Sequence, residues 1–81
     1  MTALPPATLR LRTDVLRAAM ASHGVRTQEQ LAQEIGVGRA TVVRGFSGRK
    51  APGDALIAGL RLRLGLSLDD FVEVVPARSK P

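Results

Sequence analysis

The sequence predicts a mainly α domain of four to five short helices, with a short two-stranded ribbon formed by the N- and C-terminal segments. Three observations lead there. Apolar residues recur at helical spacing through the middle of the chain. Gly24, Gly36, Gly48 and Gly65 punctuate those runs as helix stops. An alternating run near the start and a β-prone run near the end bracket the helices. At 81 residues this is one domain, and 44% hydrophobic content is enough for a core.

Residues 1–8, with Pro5 and Pro6, read as a flexible arm. In Thr8–Arg12, Leu9 and Leu11 alternate with Arg10 and Arg12, which suits a short strand or an irregular lead-in to a helix. Thr13 or Asp14 is positioned to cap the next element. The first helix covers Val15–Ser22, with Val15, Leu16, Ala19 and Met20 facing inward and Gly24 as its stop. Thr27 then opens a second helix with a capping-box spacing, Gln30 standing three residues on. Leu31, Ala32 and Ile35 form its buried face, and Gly36 ends it.

After the Gly36-Val37-Gly38 turn, a third helix runs from about Arg39 to Phe46, with Val42 and Phe46 pointing inward. Ser47-Gly48 closes it. A loop with Pro52 leads to a fourth helix, capped by Asp54 and running to about Leu64. Its expected inner side is Ile57, Ala58, Leu60, Arg61 and Leu64. Gly59 inside it is unfavourable by about 1 kcal/mol relative to alanine, which a close helix crossing would explain. Ser67 and Asp70 frame a capped final turn, and Phe71–Val75 is β-prone. Leu9–Arg12 is expected to pair with Val72–Val75, giving a domain over 9–75 and a loose tail over 76–81.

Composition removes several functions. There is no Cys, and a single His builds no metal site alone. His23 reads as a helix-end residue rather than a base. Asp69-Asp70 reads as a helix-start pair rather than a cation site. There is no nucleophile–base set and no glycine-rich phosphate loop after a strand, so no catalytic residue, cofactor or small-molecule substrate is expected. With two Phe and no Trp or Tyr, stacking platforms for single-stranded nucleic acid are missing. No run approaches the roughly 20 apolar residues of a membrane span, and the start lacks signal-peptide order, so the expected location is cytoplasmic and nucleoid-associated.

The formal charge is +5, and its distribution matters more than its total. Ile35–Gly53 contains no acidic residue but carries Arg39, Arg44, Arg49 and Lys50. Such a zone fits a phosphate-backbone binder, and equally a solvated basic face with no partner.

The run TQEQLAQEIGVGRATVVRGFSGRK (Thr27–Lys50) resembles the Cro- and phage-repressor-like helix-turn-helix family, also called the XRE family. Thr-Gln opens the first motif helix, Leu-Ala lies in its middle, Gly-Val makes the turn, Thr-Val lies within the second helix and Ser-Gly follows it. LRLRLGLSLDDFVEV is similar to the family's fourth helix and closing segment, so the resemblance covers roughly Val15–Val75. It implies a lambda-repressor-like domain whose helix at about 38–47 enters the major groove of double-stranded DNA.

Residue by residue, the resemblance gives Arg39, Ala40, Thr41 and Arg44 as base contacts. Each arginine is able to bond O6 and N7 of one guanine together. Thr27, Gln28 and Gly38 at helix starts, with Arg49 and Lys50 past the helix, fall to phosphates. The family usually has Ser, Thr or Asn at Gly38, a cap difference of only a few tenths of a kcal/mol. It also usually has a bulky apolar residue at Gly45; here Phe46 is expected to fill the core while Gly45 leaves room. Leu56, Leu62 and Leu66 fall outside the fourth helix's expected stripe. They form either a self-association surface or the floor under the terminal strands.

The expected function is a sequence-specific transcriptional regulator of phage, plasmid or chromosomal genes. It would be a homodimer and a repressor through operator occupancy. The competing expectation is a protein-interaction module, such as the antitoxin of a toxin–antitoxin pair.

Overall fold

In the computed structural model, which describes residues 6–76, the chain runs through five helices bracketed by two strands. The order is β1 (Ala7–Leu11), α1 (Thr13–Ser22), α2 (Gln28–Ile35), α3 (Arg39–Ser47), α4 (Asp54–Leu64), α5 (Leu68–Phe71) and β2 (Val72–Pro76). Most of the expected arm and most of the expected tail lie outside the described residues. Ala7 and Thr8, placed in that arm, and Pro76, placed in the tail, belong to the strands instead.

The strands pair antiparallel, with Leu9 opposite Val74 and Leu11 opposite Val72. The expected ribbon therefore forms in the expected pairing region, lengthened outward by Ala7 and Pro76. Pro76 is tolerated because it sits at the strand's end, where no ladder donor is needed. Opposite residues Arg10 and Glu73 form an ion pair at 2.7 Å. The Arg12 amide donates to the Phe71 carbonyl at 2.8 Å, tying the root of the ribbon to α5.

Helix ends follow local chemistry. The end of α1 is a Schellman motif: Val25 N–H bonds the Met20 carbonyl at 2.8 Å and Gly24 N–H that of Ala21 at 3.2 Å. Gly24 supplies the required left-handed backbone at φ 73°, and the accompanying apolar contact comes from Met20 and Val25, both buried. At α2, the Thr27 side chain accepts from the Gln30 amide at 3.0 Å. The returning arm of the capping box lands one residue earlier than expected, with Gln30 Oε1 accepting from the Arg26 amide at 2.9 Å.

Two expected caps are displaced. Leu16 N–H already bonds the Arg12 carbonyl, so α1 starts at Thr13 and neither Thr13 nor Asp14 caps it. Ile57 N–H likewise bonds the Gly53 carbonyl, which makes Gly53 the cap of α4 and Asp54 its first residue. The Asp54 carboxylate still accepts an amide bond, from Ala55 at 2.8 Å. At α5, the Ser67 hydroxyl donates to the Asp70 carboxylate instead of accepting from its amide, and the Ser67 carbonyl takes that amide.

A single apolar core draws on β1 and all five helices: Leu11, Leu16, Met20, Val25, Leu31, Ala32, Val42, Phe46, Leu56, Leu60, Leu64 and Phe71. Each leucine here contributes about 1.5–3 kcal/mol by leaving water. The inner row of α4 is Leu56, Leu60 and Leu64, one per turn, with Ile57 half-buried beside them; Ala58 and Arg61 are exposed. The expected stripe was rotated about the helix axis, and the reason lies on α3. Gly45 is buried there, and a β-carbon on it would stand 2.6 Å from Leu56 Cδ2 and 3.4 Å from Leu11 Cδ1. Glycine at 45 gives Leu56 its place in the core. Leu56 is 1% exposed and Leu66 packs half-buried against the core, so the three-leucine surface does not form; only Leu62, at 82%, faces solvent fully.

Candidate nucleic-acid interface

Helices α2 and α3 pack on each other through the turn Gly36-Val37-Gly38. Gly36 takes a left-handed backbone at φ 76°, and both its amide and that of Val37 bond the Ala32 carbonyl. Val37 folds back onto the core. The chain can then leave in a new direction, with Gly38 in extended backbone at the start of α3. Thr41 N–H bonds the Gly38 carbonyl at 3.1 Å, and no side chain caps the remaining amides.

On α3, Val42, Gly45 and Phe46 face the core, while Arg39, Ala40, Thr41, Val43, Arg44 and Ser47 are exposed. Ala40, Val43, Arg44 and Ser47 line one shallow concavity together with Arg49 and Lys50. Thr41 and Arg44 share a second hollow with Lys50 and Pro52. Arg39 stands exposed at the first turn, outside both hollows. Ser47 fixes the exit from the helix: its hydroxyl donates to the Arg44 carbonyl at 3.1 Å and accepts from the Arg49 amide at 3.4 Å. Arg49 and Lys50 are thereby held beside Arg44.

At the start of α2, Thr27 is exposed and Gln28 half-buried. Gln28 lines a hollow with Arg17 of α1 and Arg26, floored by Met20, Val25 and Phe46. The surface thus has two cationic sectors, one at the start of α2 and one along α3. Glu29 stands exposed in the first turn of α2, whereas Glu34, at the other end of that helix, is turned away to α4. It bonds Arg63 and accepts from the Gln30 amide group at 2.9 Å, which together hold its carboxyl below the usual carboxylate range.

The family model described as Helix-turn-helix matches residues 16–71, well over half of the chain. The chain belongs to the XRE, lambda-repressor-like helix-turn-helix family. This is a family of DNA-binding regulators, and the matched span holds both motif helices and four of the five helices in full. No curated protein and no solved structure matches the chain significantly. No helix among the described residues is long and apolar enough to cross a membrane.

Within the XRE frame, the exposed residues of α3 include every position expected to meet bases: Arg39, Ala40, Thr41 and Arg44. Ala40 and Arg44 come together with Arg49 and Lys50. Gly38 lies apart from these hollows as the cap of α3. Sequence reasoning missed three residues. Val43 is 39% exposed in the middle of the cationic face. Arg17 and Arg26 join Gln28; Arg17 was legible as the residue opposite the inward stripe of α1, and Arg26 as the residue before the cap.

Proposed function

We propose that this XRE-family chain is a sequence-specific transcriptional repressor that acts by occupying an operator, with α3 lying in the major groove of double-stranded DNA. The observation that carries the reading is the outer face of α3. Ala40, Val43, Arg44 and Ser47 line one concavity with Arg49 and Lys50, and among the described residues no acid joins them. An arginine between small and apolar side chains suits base edges, where guanidinium pairs with guanine and methyls meet thymine. The cations just past the helix suit flanking phosphates. Arg39 and Thr41 complete the base-reading turn, and Thr27, Gln28, Arg17 and Arg26 take a second run of backbone at the start of α2.

The reading includes a homodimer. One recognition helix spans too few base pairs for discrimination, and a two-fold dimer reads half-sites about one helical turn apart. The test is selection of bound duplexes from a random library with the purified chain. An enriched inverted repeat supports the dimeric regulator and supplies its operator. Lack of enrichment, with only weak salt-sensitive binding, moves the function to protein interaction of the antitoxin kind.

A further inference from the structure

We infer that the DNA contact continues past the recognition helix onto the terminal ribbon, where Arg10 takes a backbone phosphate beside those met by Arg49 and Lys50. The inference rests on the reading that α3 lies on duplex DNA. Its starting point is a groove of about 670 Å³ between the ribbon and the α3–α4 loop. Thr8, Arg10 and Val75 form the ribbon wall; Arg49, Lys50 and Pro52 form the other. Among the described residues three cations line it and no acidic side chain does.

Two features point to a phosphate backbone as the occupant. The first is continuity: Arg49 and Lys50 line both this groove and the concavity on α3, so one cationic track runs from Arg44 to Arg10. A polyanion lying along α3 meets the ribbon next. The second is charge complementarity over a partly apolar floor, where low-dielectric walls raise the attraction for an anion.

Arg10 is also presented for this use. Its Nε and Nη2 both reach Glu73 Oε2, at 2.8 and 2.7 Å, which leaves the remaining guanidinium donors without a partner among the described residues. The Arg10 side chain is 58% exposed and Glu73 only 26%. Glu73 therefore works from behind as a clamp that orients the guanidinium and at the same time offsets part of its charge. Arg12 approaches the same carboxylate at 3.9 Å, and Asp14 joins Arg10, Arg12 and Glu73 in lining the hollow on that side of the clamp. An exposed pair of this kind is weak enough to be shared with an arriving phosphate.

The experiment is a titration of the selected duplex with the full chain at several salt concentrations. Arg10→Gln should lower affinity about fivefold at 0.1 M salt and reduce the salt slope by about one. Glu73→Gln should raise affinity, and the rise should disappear when Arg10→Gln is also present. Asp69→Asn, which removes the same charge from α5, controls for net charge. The swapped variant Arg10→Glu with Glu73→Arg keeps the cross-strand pair and should still lose the contact. If Arg10→Gln binds with wild-type slope while Arg49→Ala loses a unit, the interface ends at α3 and the inference fails while the regulator reading stands. Wild-type binding by the swapped variant, or a Glu73→Gln gain independent of Arg10, overturns it as well. If the wild-type chain binds no duplex at all, the regulator reading itself falls.

Discussion

Gly59 of α4 lies so close to Ile35 of α2 that a β-carbon at position 59 would stand 2.8 Å from Ile35 Cβ. This is the close helix crossing that a glycine inside a helix calls for. One turn further along α4, Arg63 reaches Glu34, the neighbour of Ile35, so a single face of α4 carries both contacts. The crossing holds α2 against the core and so sets the platform from which α3 projects.

Gly59→Ala is therefore expected to destabilise the domain, although alanine is the better helix former by about 1 kcal/mol. Overpacking costs about 1–3 kcal/mol, and Ile35 Cβ is too near its own backbone to move aside. The net loss should be about 1 kcal/mol in urea unfolding. Gly45→Ala should destabilise as well, because its methyl would stand 2.6 Å from Leu56 Cδ2 and 3.4 Å from Leu11 Cδ1, both inside the core. A stabilised Gly59→Ala variant would remove the crossing from the account.

Thr27→Ala should cost about 1 kcal/mol by orphaning the Gln30 amide, and Thr27→Ser should restore most of it. For a domain of this size that corresponds to a fall of about 4–8 °C in Tm. Equal melting of the alanine and serine variants would show that the side-chain bond contributes nothing.

The Gln30 amide and the Arg63 guanidinium hold the carboxyl of Glu34 below its ordinary value of 4.5. A carboxylate whose folded-state pKa is depressed adds stability above its unfolded pKa. That stability is lost as pH falls through the lower folded value. The Tm of wild type should thus exceed that of Glu34→Gln at pH 7, and the two should converge as pH falls through the depressed folded-state value. The gap is small, because Glu34 is exposed, and should shrink with added salt. A gap that persists at low pH would assign the effect to packing.

What the sequence made legible divides along the range of the interaction. The Thr27 cap, the Gly36 stop and the Gly24 turn are decided within a few residues, and all three stand where local reasoning puts them. The face of α4 was not legible, because apolar residues at 56, 57, 58, 60, 62 and 64 nearly surround that helix and leave periodicity little to choose between. The choice is made by the absent side chain at Gly45, more than ten residues away, which admits Leu56 to the core. Val43 escaped because nothing in the sequence marks its direction, and only the placed helix turns it outward. The cationic window from Ile35 to Gly53 was plain in the sequence, but its junction with Arg10 depends on the ribbon being folded beside the α3–α4 loop.

Arg44→Ala should cost about 1–3 kcal/mol on the selected site and much less on random duplex, flattening discrimination at one base pair. Arg49→Ala should instead weaken binding to all duplexes alike and reduce the salt slope by about one. Competition titrations with specific and random DNA separate the two. If Arg44→Ala weakens both equally, it is a phosphate contact.

Val43 offers the sharpest check on how α3 sits in the groove. Its exposed methyls, flanked by Ala40 and Arg44, are suited to the C5-methyl of a thymine. Replacing each thymine of the selected site with uracil, one at a time, removes that methyl and leaves every base-pair hydrogen bond in place. Burial of one such group is worth about 0.8 kcal/mol, so one position should lose about fourfold in affinity. In Val43→Ser the same replacement should cost nothing, while thymines met by Ala40 or Thr41 remain sensitive. If no thymine loses its sensitivity in Val43→Ser, the middle of α3 faces away from the base edges, and the helix meets the groove through its first turn alone.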